Sequence, residues 1–133
     1  MSASTIVAAD SKGGAVACTV SLGHVFGDAY FDTAYGFSRT HPADLRLSPI
    51  IVSGDELYFA GAAAGDSGHD TLAKAASAAQ SGGNVSAALS AGKTGDATAA
   101  LYCRAGLPSS PSSCGAIPDP KGAGIALIAE QAF

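Results

Sequence analysis

The sequence contains no Trp, one Met, and seven Lys and Arg against eleven Asp and Glu, giving a net charge of −4. With no basic run among so few cations, the electrostatic basis for binding nucleic acid is missing, and so is attraction to an anionic membrane surface. No stretch approaches the ~20 consecutive apolar residues of a membrane span. The opening Met-Ser-Ala-Ser-Thr lacks a basic segment followed by a long apolar one, so no signal peptide is visible. From this chain alone a cytoplasmic location is expected; a periplasmic one would require export on a larger precursor. No C-x-x-C or His-Cys spacing suggests a metal. Of the three cysteines, Cys18 sits mid-strand and reads as a small buried hydrophobe. Cys103 and Cys114 bracket LPSSPSS and could pair in an oxidising compartment. The odd count and the missing signal favour reduced thiols.

What is present is a chain of 133 residues, 47 % apolar, long enough for one domain, 1–133, that buries roughly two-thirds of its unfolded surface. Much of the apolar content is Ala, and 17 residues are Gly, so each element contributes little transfer energy and the glycines add entropy cost. A core this thin is expected of a chain that packs against something else.

The stretch SASTIVAADSKGGAVACTVSLGHVFG, Ser2 to Gly27, organises the rest. From Ala15 to Leu22 large and small residues alternate: Val16, Cys18, Val20 and Leu22 on one face, Ala15, Ala17, Thr19 and Ser21 on the other. That is the period of a strand. Thr5 to Ala9 is a shorter β-branched segment, and Asp-Ser-Lys-Gly-Gly offers the reversal between them. The bulky face is expected to be buried; the small, hydroxyl-bearing face suits a close sheet-on-sheet contact or a shallow site.

The following segment, to about residue 47, is irregular and holds Tyr30, Phe31, Tyr35 and Phe37, expected to cap one end of the core. His24, Asp28 and Asp32 at four-residue spacing resemble helix-borne ligands, but Gly23 and Gly27 oppose a helix there. Pro49 to Ala60 reads as a second hairpin around Ser53-Gly54-Asp55-Glu56. A glycine-rich turn, Gly61 to Gly68, leads to a helix over 69–81, stopped by Gly82-Gly83. Asn84 caps a shorter helix over 85–91. Leu72, Ala75, Ala76, Ala79, Val85, Ala88 and Leu89 form a low-relief face that would lie flat on a sheet. Thr94 to Ala99 reads as a loop, Ala100 to Arg104 as a strand, Leu107 to Ser113 as a connector, Ala116 to Pro118 as extended and Gly124 to Ala129 as a final strand. Strands, a helical pair, then strands make an α+β fold with mainly antiparallel sheets, not alternating βαβ units.

The strand, glycine turn and helix from Leu57 to Ala79 invite a phosphate-loop reading, but no Gly-Lys-Ser/Thr is present and Asp66 puts a negative charge where a phosphate would sit. The competing readings are a plain turn out of the sheet, or an oxyanion site made by N–H groups from Gly65 to Ser67. Ser2 follows Met1, whose removal would expose a hydroxyl beside a free α-amine. An amine with a pKa near ~8 can take that hydroxyl proton, so an N-terminal Ser carries its own general base.

Several segments in order resemble the small, C-terminal subunit of the γ-glutamyltranspeptidase family of N-terminal-nucleophile hydrolases. IVAADSKGGAVACTVSLGHVFGDA is similar to the family's opening strand-turn-strand, with Phe26-Gly27 at its Phe-Gly pair. LRLSPIIVSGDELYFAGAAAGDSG is similar to its Ser-Pro-x-Ile-Val hairpin and glycine pair, and CGAIPDPKGAGIAL to its last strands around an Asp-Pro. The resemblance implies a four-layer αββα sandwich, of which this chain supplies part. It implies an amide hydrolase or acyltransferase subunit acting on γ-glutamyl compounds such as glutathione, with no cofactor. The implied partner is a larger subunit whose Arg holds the substrate carboxylate. It places Ser2, or Ala3 in an ungapped register, at the nucleophile; Ser21 at the supporting Thr; Gly65 and Asp66 at the oxyanion glycine pair; and Leu45-Arg46 at the paired Ser that contact the carboxylate. Gly23 stands where the family has an Asn, and Asp44 is left for the acidic residues that grip the substrate amine. The alternative is a catalytically inactive binding or scaffold module, or a truncated gene product.

Overall fold

A computed structural model describes residues 3–21, 31–38, 46–93 and 96–129. The opening hairpin forms as the alternation predicts: β1 (Ala3–Ala9) pairs antiparallel with β2 (Ala15–Ser21), from Ala3↔Ser21 to Ala9↔Ala15. Its reversal is held by Asp10, whose Oδ1 accepts the N–H groups of Lys12 and Gly14, each at 2.9 Å. Gly13 turns at φ +90°, where a side chain would be strained.

The second hairpin is also observed. β5 (Leu47–Ser53) and β6 (Leu57–Ala64) flank residues 54–56 and open a four-stranded antiparallel sheet, order β5-β6-β7-β8, completed by β7 (Ala97–Leu107) and β8 (Cys114–Ile117). β7 and β8 are joined through a 3-10 turn, Pro111–Ser113. Two very short strands, β3 (Phe31–Asp32) and β4 (Phe37–Ser38), pair separately inside the segment expected to be irregular. Tyr35, at their turn, is 78 % exposed and caps no core; Tyr30 lies outside the described residues.

Helix α1 (Gly68–Ser81) ends at Gly82 in the left-handed conformation, and α2 (Val85–Ser90) starts under Asn84, whose side chain accepts the Ala87 N–H. Both lie on one face of the large sheet. The face predicted for them is the one buried: Leu72, Ala75, Ala76, Ala79, Val85 and Leu89 pack with Phe59, Ala63 and Ala100. Gly61 is required there, since a Cβ would stand 2.5 Å from Leu72 Cδ1 and 2.9 Å from a Phe59 ring carbon. Arg104 on β7 fastens the arrangement by donating to the carbonyls of Ala78, Ala79 and Gly83, the last at 2.6 Å, at the negative end of α1.

The β1–β2 hairpin covers the opposite face, lying over β5, β6 and β7. Along β6, Phe59, Gly61 and Ala63 turn to the helices, while Ala60, Ala62 and Ala64, all 0 % exposed, turn to the hairpin. The result is three layers: helices, a four-stranded sheet and a two-stranded sheet, an α+β architecture.

Several expectations are corrected. The hairpin's small face, Ala15, Ala17, Thr19 and Ser21, meets the large sheet; its bulky face is outermost, with Ile6, Val16 and Val20 at 60–62 % exposed. Small side chains win the interior because β6 presents Ala there, and two Ala-lined sheets approach closely while nothing in the described chain lies over the outer face. Cys18 shares that face and is exposed rather than buried. Cys103 and Cys114, expected to be reduced, are joined in a disulfide with Cα atoms 3.9 Å apart; the β7–β8 register sets them directly opposite. The glycine-rich turn shrinks to residues 65–67, because Gly61 to Ala64 continue β6. The loop expected over 94–99 gives way to β7 from Ala97 onward. Gly124 to Ala129 joins no ladder. No helix among the described residues is long and apolar enough to cross a membrane.

Candidate functional site

β6 ends at Ala64, and the chain must leave the sheet and enter α1 within three residues. It does so through Gly65 at φ +112°. The Gly65 N–H donates to the Arg46 carbonyl at 2.9 Å, extending the β5–β6 ladder by one bond. On the other side the pair Ala64↔Ala97 brings Asp96, the residue before β7, beside Gly65. A Cβ on Gly65 would overlap the Asp96 carboxylate, whose Cγ would be 2.6 Å away. Gly65 is therefore fixed twice, by backbone conformation and by close approach.

Ser67 stands at the start of α1 but does not cap it with its side chain. Its hydroxyl instead donates to Asp96 Oδ2 and accepts the Lys93 N–H at 3.3 Å. Asp66 points outward, 84 % exposed, with Arg46 Nε 3.8 Å from its Oδ1 and the Arg46 side chain 65 % exposed. A pair that exposed is weakly held in water.

The hairpin brings a second group to the same end of the molecule. Its turn lies over the Leu57–Leu107 end of the large sheet, where Gly13 packs on the Leu107 carbonyl. Seven residues of β1 run back from there for ~20 Å. The start of β1 therefore lies toward the Ala64–Ala97 end, with Ser21 directly opposite Ala3. Of the residues predicted for chemistry, Ser21, Gly65, Asp66 and Arg46 are gathered at this end of the two sheets. Ser2 lies outside the described residues, as do Gly23, Asp44 and Leu45. With its N–H engaged by Arg46, Gly65 shapes the turn, and the donors left to face an anion are the N–H groups of Asp66 and Ser67.

Comparison with protein-family models and with curated proteins finds no match.

Two residues of this cluster were not singled out in the sequence, Ser67 as a side chain and Asp96. Asp96 falls where the sequence reads as a loop, and only β6–β7 pairing carries it to Gly65. Among the described residues no group of three or more His, Cys, Asp or Glu is placed to hold a metal ion. His24 and Asp28 lie outside those residues, and Asp32 belongs to β3. One polar atom is left over near the hairpin interface: Thr19 Oγ1 is buried without a hydrogen-bond partner.

Proposed function

We propose that this chain is the small-subunit-like part of an N-terminal-nucleophile amide hydrolase or acyltransferase acting on γ-glutamyl compounds, with its layers forming the αββ portion of an αββα sandwich. One observation carries the reading: the start of β1, Ser21 and the Gly65–Ser67 turn share one end of two stacked sheets. In this scheme the Ser2 hydroxyl, freed by removal of Met1, attacks the γ-glutamyl carbonyl while the α-amine takes its proton. The α-amine hands that proton to the departing amine as the C–N bond breaks; water or an amino acid then takes the acyl group from Ser2. Ser21 supports the nucleophile across the hairpin. The oxyanion is met by N–H groups of the turn, and Arg46 meets the substrate's α-carboxylate. The bare outer face of Ile6, Val16 and Val20 is where the larger subunit would complete the fourth layer. No cofactor enters the scheme.

A second reading, a binding or scaffold module without catalysis, is favoured by the two carboxylates at the turn. Asp66 and Asp96 flank Gly65, and a carboxylate beside a developing oxyanion opposes catalysis.

The deciding experiment uses the chain purified from its own cells with whatever accompanies it, incubated with a chromogenic γ-glutamyl anilide while intact mass and released aniline are followed. Loss of Met1, an acyl adduct on Ser2 and turnover abolished by Ser2→Ala are expected. Retained Met1 with neither adduct nor aniline overturns the enzyme reading in favour of the module.

A further inference from the structure

A concavity of the fold starts near the Ala64–Ala97 end of the large sheet and extends along the whole of β1. It is a groove of about 1340 Å³ running along β1 on the side away from β2. It is lined by β1, by β7 and β8, including Ala99, Leu101 and Ile117, and by residues 124–129. The hairpin sits with β2 toward β5 and β1 toward β7. The groove therefore occupies the place, over β7 and β8, where the next strand of the second layer would lie.

Among the described residues β1 has a ladder partner only in β2. In an antiparallel pair alternate residues direct N–H and C=O away from the partner, so β1 presents a row of unpaired backbone groups to the groove. Across from that row lies GIALIA, Gly124 to Ala129. It is six residues long against seven in β1, carries no charge and holds three large aliphatic side chains, yet it forms no ladder. Its Ile125, Leu127 and Ile128 are 83 %, 85 % and 63 % exposed. The chain reaches this position by a built turn after β8: Asp119 Oδ1 accepts the Lys121 N–H at 2.9 Å, the Asp119 carbonyl accepts the Gly122 N–H at 3.3 Å, and Lys121 Nζ donates to the Gly92 carbonyl.

We propose that Gly124–Ala129 is a strap that docks along the open edge of β1, making the second layer three-stranded in the order β2-β1-strap and closing the groove. Three features select this occupant. The edge demands an extended backbone. The acidic side chains in the lining, Asp10 and Asp119, already accept backbone N–H groups, which suits an uncharged strand. The strap is tethered by a short turn beside the groove, so closure within one chain costs little loop entropy compared with recruiting a second copy. Docking moves Ile125, Leu127 and Ile128 out of water and removes an edge that would otherwise pair with other chains.

The test is residue-resolved amide exchange by NMR on the full chain. With β2 as the sole partner, only alternate amides of Ala3–Ala9 are protected. With the strap docked, the groove-facing set is protected as well, exchanging at least about tenfold more slowly than in a variant that cannot dock. Leu127→Pro and Ile128→Pro serve as such variants, since neighbouring prolines of opposite parity ensure that one removes a ladder N–H in either register. Groove-facing amides are expected to lose protection in one of them, while those facing β2 and those of α1 keep theirs. Free exchange of the groove-facing amides in the wild-type chain overturns the proposal. Protection that vanishes on dilution, together with dimer dissociation in sedimentation, also overturns it and assigns the strand to a second copy. The wild-type pattern decides by itself if a proline variant fails to fold.

Discussion

Replacing Gly65 by Ala probes the one position where backbone conformation and site geometry coincide. A side chain at φ +112° costs about 1–3 kcal/mol as a strained backbone conformation. The new methyl also takes the space of the Asp96 carboxylate. Asp96 must swing away, breaking its bond from the Ser67 hydroxyl, and a hydrogen bond to a charged group is worth about 1.5–3 kcal/mol. Gly65→Ala is therefore expected to lose roughly 2.5–6 kcal/mol of stability by these two contributions together. Asp96→Ala alone forfeits the Ser67 bond, at most about 3 kcal/mol and less at this part-buried position. In the double variant that bond is lost only once and the overlap is gone, so its cost falls short of the summed singles by about 1.5–3 kcal/mol. Urea unfolding of the four proteins, with midpoints compared at unchanged m, measures the difference. Additivity within about 0.5 kcal/mol would refute the reasoning, because it would mean that Asp96 and Gly65 do not share the space between them.

Replacing Cys103 and Cys114 together by Ser removes a cross-link between residues 11 apart and is expected to lower stability by roughly 3 kcal/mol, read from urea midpoints of oxidised wild type and variant. Thr19→Val keeps the shape while deleting a buried hydroxyl that has no partner; stability is expected to rise by about 1 kcal/mol, checked by the same titration. Hydrogen bonds from the Ser109 hydroxyl and N–H hold the Glu56 carboxyl below its ordinary value of 4.5. A depressed carboxyl contributes stability that is present above the unfolded value and disappears as pH falls through the folded one. Glu56→Gln should accordingly flatten the acid limb of a stability–pH profile below about pH 4.5 while leaving its slope near neutrality unchanged.

Local pattern carried far along this chain. The alternation from Ala15 to Ser21, the turn chemistry of Asp10 to Gly14, the hairpin around Ser53 to Glu56 and the Gly82 stop of α1 each rest on forces that act within a few residues, and each is observed. The helix face of Leu72, Ala75, Ala76 and Ala79 was legible for the same reason. Among the site residues, Gly65 and Asp66 were legible from the local strand, glycine turn and helix of 57–79, whereas Arg46 follows only from likeness to the family.

What the sequence by itself determined is therefore the two hairpins, the helical pair, their antiparallel α+β order and the amphipathic helix face, because period, capping and turn preference are written into neighbouring residues. Tertiary structure alone decided which side of the β1–β2 hairpin is interior. The preference of bulky side chains for burial yielded to the Ala-lined surface of β6, against which only Ala, Thr and Ser allow close contact. It also decided that Cys103 meets Cys114 and that Asp96 reaches Gly65. Each of these depends on strand register across distant parts of the chain, and register is set by the packed sheet rather than by any one segment.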